Sequence, residues 1–131
     1  MSTVKPRLTG DVLSYHLEEE VRTVRAHLDS TDRSARTLVK SGALRVTLVG
    51  LAPGGSMARH KADGPISIQA IEGEVVFEAG NEEWTLKAGS MLAVEPGIVH
   101  SVRSPSGGFF LLTVAAQAGI GSGAVEQGTG G

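Results

Sequence analysis

Between Ala35 and Ala116 the chain is interrupted at short intervals by turn-forming residues. They are Ser41-Gly42, Pro53-Gly54-Gly55, Asp63-Gly64-Pro65, Gly73, Gly80-Asn81, Ala88-Gly89, Pro96-Gly97 and Pro105-Ser106-Gly107-Gly108. Glycine reaches positive φ without steric penalty and proline presets φ, so such clusters turn the backbone. The segments between them follow a period of two. ARTLVK, ALRVTLVGLA, GSMARH, ISIQAIE, EVVFEAG, EEWTLK, SMLAVE, HSVRS and GFFLLTVAA are nine candidate strands. Many short strands with these turns predict an all-β sandwich or closed barrel. There is no internal repeat and no βαβ alternation, which argues against a parallel α/β sheet.

The flanks read differently. From Gly10 to about Ser30 the apolar residues Val21, Val24 and Leu28 recur at three- and four-residue spacing. Glu18, Glu19 and Glu20 precede Arg22 and Arg25, the charge order a helix dipole favours. This spacing predicts one short helix. The end, GIGSGAVEQGTGG, has little to bury and reads as a flexible tail. The expected organisation is an N-terminal arm with a short helix over 1–34, a β-barrel over 35–117 and a Gly-rich tail over 118–131.

A chain of 131 residues is one domain by size. A net charge of −2 provides no field to attract nucleic acid or an anionic membrane. No stretch approaches the ~20 apolar residues of a membrane helix. MSTVKPRLTG lacks a secretory apolar run, so a cytoplasmic protein is expected. The absence of cysteine excludes disulfides, thiolate chemistry and cysteine-ligated zinc. The G-x-S-x-G, P-loop and H-E-x-x-H motifs are absent too.

From about Leu44 to Ala116 the chain resembles the cupin superfamily, small β-barrels that commonly hold one metal ion. The family's first motif runs Gly, five residues, His-x-His, three or four residues, Glu, six residues, Gly. Here Gly54, His60 and Gly73 match it, while Ala62 stands at the second histidine and Ile66 at the glutamate. The second motif runs Gly, five residues, Pro-x-Gly, two residues, His, three residues, Asn. Gly89, Gly97 and His100 match; Glu95 stands at the proline, followed by Pro96, and Ser104 stands at the asparagine. The resemblance implies a cupin-type double-stranded β-helix, or jelly-roll, preceded by a short helix or arm. It also implies a homodimer, because members often pair through barrel-edge strands. An edge such as ARTLVK is protected by pairing, and the N-terminal segment could cross to the partner.

Two of the four ligand positions are aliphatic, and catalytic metal sites usually present three protein ligands with open positions. The preferred expectation is therefore a small organic molecule bound in an apolar barrel pocket, with little or no metal. His60, His100, Ile66, Ile68 and Gln69 are the candidate lining. Alternation turns Gln69 away from Ile66 unless a bulge intervenes. The other expectation is a dioxygenase- or isomerase-type enzyme holding Fe, Mn, Ni or Zn through His60, His100 and a third ligand, with Asp63, Gln69 and Glu95 as nearby donors. Some metal-free members isomerise sugars with a histidine base and a tyrosine acid, but the only tyrosine, Tyr15, lies outside the motifs. His16 and His27 fit a helix surface. Trp84, Phe77, Phe109 and Phe110 fit packing, and Arg59 and Lys61 should alternate away from His60.

Overall fold

The computed structural model describes residues 12–116. The apolar spacing near the N-terminus becomes helix α1, Leu17–Ala26, with three glutamates in its first turn and Arg25 in its last. The strands are β1 (Arg33–Ser41), β2 (Leu44–Leu51), β3 (Gly55–His60), β4 (Ile66–Ala79), β5 (Glu82–Lys87), β6 (Met91–Val94), β7 (His100–Ser104) and β8 (Gly108–Ala115).

All strand pairs are antiparallel. In one sheet β1 pairs β2, β2 pairs β8, and the first half of β4 lies between β8 and β6. In the other, the second half of β4 lies between β5 and β7, and β7 pairs β3. Strand β4 belongs to both, so the sheet curls over on itself as an all-β jelly-roll.

Eight strands replace the nine expected because ISIQAIE and EVVFEAG form one strand. Gly73 does not end a strand. It turns β4 from one sheet into the other at φ 74°, next to a bulge between Ala70 and Glu72. A Cβ there would sit 2.4 Å from the Gly107 carbonyl oxygen, so only glycine lets the two backbones approach.

The apolar residues separate into two clusters. Inside the barrel, Val49, Leu51, Ile66, Ile68, Ala70, Val75, Phe77, Val102, Phe110, Leu112 and their neighbours pack together. Outside it, Val21 and Val24 of α1 cover Leu38, Leu48 and Phe109, with Tyr15, Leu28, Ile71 and Leu111 around them. Gly50 allows this close approach, because a Cβ there would lie 2.8 Å from a Val24 methyl. Tyr15 donates its hydroxyl to the Leu38 carbonyl. Arg25 lies over the Phe109 ring, 4.7 Å from its centroid, and pairs with Glu72. His16 and His27 are the exposed caps of α1, as helix-surface histidines should be. No described helix is long and apolar enough to cross a membrane. The tail expected over 118–131 and the first eleven residues of the arm lie outside the described residues.

Candidate functional site

Across the β3–β7 pair, Met57 faces Val102 and His60 faces His100. Three steps along β3 thus match two along β7, so β3 carries one extra residue. Without that bulge, alternation from Met57 would send His60 outward. With it, His60 shares the face of Met57, Val102 and His100, the face turned to the barrel interior. Arg59 and Lys61 are exposed, as alternation requires.

The two imidazoles touch edge to face, with centroids 4.4 Å apart and planes at 63°. His100 is only 3% exposed and stacks on Phe77 at 5.1 Å and 25°. Phe77 in turn lies 5.9 Å from Trp84, its cross-strand partner on β5. His60, His100, Phe77 and Trp84 therefore form a row of four rings across β3, β7, β4 and β5. The row runs from the half-buried His60 to Trp84, which is 41% exposed.

Each histidine is anchored the same way. His60 Nδ1 lies 2.8 Å from the Ala58 carbonyl oxygen and His100 Nδ1 lies 2.9 Å from that of Ile98. A carbonyl only accepts, so Nδ1 carries the proton in both rings. In the neutral rings Nε2 is then a lone-pair acceptor. Burial pushes the His100 imidazole below the usual 6.5; the Ile98 hydrogen bond opposes this and the nearby His60 reinforces it.

The other expected lining residues divide. Ile66 and Ile68 are buried in the barrel core. Gln69 does not join them: it is exposed, opposite Met91 and Leu111, because the β4 bulge falls after it and alternation holds. Ser104, at the asparagine position, is fully buried and donates its hydroxyl to the Glu74 carbonyl. Sequence reading did not find the row through Phe77 and Trp84. Its signal was present: a two-residue turn at Gly80-Asn81 sets Ala79 against Glu82 and hence Phe77 against Trp84.

The donor set does not fit a resident three-ligand metal ion. Ala62 and Ile66, at the remaining motif positions, are each 5% exposed and aliphatic. Asp63 and Glu95 are exposed. Among the described residues no group of three or more His, Cys, Asp or Glu side chains could hold an ion. A divalent cation between two neutral imidazoles would lack the anionic ligand that offsets its charge in an apolar surrounding.

The outer face of the same sheet is polar. Arg103 pairs with Glu78 at 2.9 Å and Glu83 at 3.4 Å, and Ser101 donates to Glu78. A hydrogen bond shared with Glu83 holds the Glu78 carboxyl below its usual range; Arg103 and Ser101 add to this, against a contribution from desolvation. A recess of about 210 Å³ is lined by Arg59, Glu78, Gly80, Val99, His100 and Ser101, so residues of this polar face and the buried histidine border the same space.

Residues 47–114 match the family model described as a cupin domain. The chain belongs to the cupin family. Solved structures agree on the fold. A cupin superfamily protein from Desulfitobacterium hafniense DCB-2 is 17% identical, with a TM-score of 0.64 over 66% of this chain and 80% of that one. An RmlC-like cupin from Shewanella frigidimarina NCIMB 400 is 20% identical, with a TM-score of 0.62 over 69% of this chain and 82% of that one. The salicylate 1,2-dioxygenase of Pseudaminobacter salicylatoxidans is 18% identical, with a TM-score of 0.67 over 77% of this chain. This cupin spans only 34% of the dioxygenase. No curated protein matches the chain by sequence.

Proposed function

We propose that this cupin is a binding module for a small organic molecule, held beside the His60–His100 pair without a resident metal. One observation carries the reading. The β3 bulge brings two motif histidines into contact, while Ala62 and Ile66 leave them without further donors. An apolar barrel with a few convergent polar atoms is the usual setting for an organic ligand. Ile66 and Ile68 supply its apolar side and the two Nε2 atoms its polar one.

Elemental analysis of the untagged protein tests this, alongside the His60→Ala, His100→Ala double variant. The expected result is no stoichiometric transition metal and no uptake of added Fe, Mn, Ni or Zn. One equivalent per chain, lost in the double variant, would sink the proposal. It would favour the second reading, a metal-dependent dioxygenase or isomerase. One feature supports that second reading: both Nδ1 atoms are tied to carbonyls, as the rings of metal-binding histidines commonly are.

We also propose a homodimer. Strand β1 pairs only with β2 among the described residues, leaving one edge for a second copy. Light scattering on the eluting protein should give twice the 13.5 kDa chain mass.

A further inference from the structure

We infer that the hollow between the end of α1 and the β4 corner binds a small organic cation, an ammonium group carried on an apolar body. The hollow has a volume of about 470 Å³, the size of a small-molecule site. It shares no lining residue with the recess at His100, so it is a second site, independent of the histidine reading. Its floor follows from register. Leu51, Gly108 and Gly73 are successive partners across β2, β8 and β4. A Cβ on Gly73 would meet backbone at 2.4 Å and one on Gly108 at 2.9 Å, so both positions need glycine. Two of these three positions therefore carry no side chain, and the floor is low. Leu28, Pro53 and the buried Leu51 and Phe109 give the hollow its apolar surface.

The charge of the walls decides the sign of the ligand. The ionisable side chains of the lining are Arg25, Asp29 and Glu72. Arg25 is engaged twice, over the Phe109 ring and in an ion pair with Glu72, so those two charges cancel. Asp29 forms no ion pair among the described residues. One cation against two carboxylates leaves the lining at −1. The C-terminal end of α1, at Ala26, adds its partial negative charge on the same side. An anion would meet two carboxylates and a cation already paired. A cation without an apolar body would leave the Leu28 and Phe109 surface uncovered.

An NMR titration of the isotope-labelled full chain tests this with three probes of similar outline. They are 2-phenylethylamine, a cation at neutral pH, the neutral 2-phenylethanol and the anion phenylacetate. The amine is expected to bind about three- to fivefold tighter than the alcohol, the effect of one solvent-exposed charge pair, and phenylacetate the weakest. Shifts should centre on the amides of Gly73, Gly107 and Gly108. Added salt should weaken the amine and leave the alcohol unchanged. Asp29→Asn should bring the amine level with the alcohol, and Asp29→Lys should make phenylacetate the tightest of the three. Asp29 is exposed and unpaired among the described residues, so neither change threatens the fold.

Equal affinity for the three probes, tighter binding of phenylacetate by the unaltered chain, or an amine affinity unchanged in Asp29→Asn would overturn the proposal. Shifts centred on Val102 and His100 would overturn it too, by moving the ligand to the histidine pair. An absence of shifts with every probe would remove this site alone, since the histidine reading does not depend on it.

Discussion

The two halves of β4 are one strand with two kinds of surroundings. From Ile66 to Gly73 its inward side chains are Ile66, Ile68 and Ala70, and α1 covers the outer side of that sheet around Ile71. From Glu74 to Ala79 its inward Phe77 supports His100, and outward Glu78 stands in a solvent-facing cluster with Arg103. The first half, where Ile66 occupies a ligand position, is built to pack. The second borders the histidine pair, contributes Phe77 to the row of rings and has a polar outer face. Packing and the support of the histidine pair are thus divided at Gly73 along a single strand.

The sharpest way to break this comparison is to truncate one inward residue on each side. Phe77→Ala is expected to lower stability by about 4 kcal/mol and Ile68→Ala by about 3 kcal/mol, by urea denaturation, because both leave cavities in a packed interior. Only Phe77→Ala should also move the His100 titration, read by NMR, upward toward 6.5, because it opens the surroundings that keep the ring neutral. An equal shift from Ile68→Ala would make the two halves one environment.

Gly73→Ala tests the joint between them. Positive φ and the Gly107 carbonyl both oppose a Cβ, so a loss of about 2–3 kcal/mol is expected, with the second sheet disturbed more than the first in amide spectra.

Acid should act through the second half. The folded pKa of His100 lies below its unfolded value near 6.5, so below 6.5 the unfolded chain takes up the proton more readily. The His100 contribution is thus complete above 6.5 and declines as pH falls toward the lowered folded value. A His100→Phe variant should show a flatter stability profile over that window. The smallest effect is expected at the outer face, where Arg103→Ala should change stability by less than about 0.5 kcal/mol despite its two ion pairs, since those groups are solvent-exposed.

Much of the fold was legible because its turns need glycine. Gly42, Gly54, Gly73, Gly80, Gly89, Gly97 and Gly107 were all read as strand boundaries, and all adopt positive φ. Gly73 misled only in kind, since a positive φ marks a corner inside a strand as well as its end. The site was harder, because it depends on register. Counting by twos cannot reveal the bulge that turns His60 inward, nor that β4 keeps strict alternation through Gln69 and leaves it outside. Trp84 packs against Phe77 as its pattern suggested, but its exposure follows from where β5 ends up in the sheet, which no local pattern encodes.

The passage of β4 through both sheets also bears on how the domain opens. Its amides are hydrogen-bonded to β6 and β8 at one end and to β5 and β7 at the other. Neither sheet can come apart without breaking the same strand, so the two should exchange hydrogen as one cooperative unit. Helix α1 attaches to the first sheet through a separate cluster and has no backbone pairing to it, so it is the element expected to open and reclose alone.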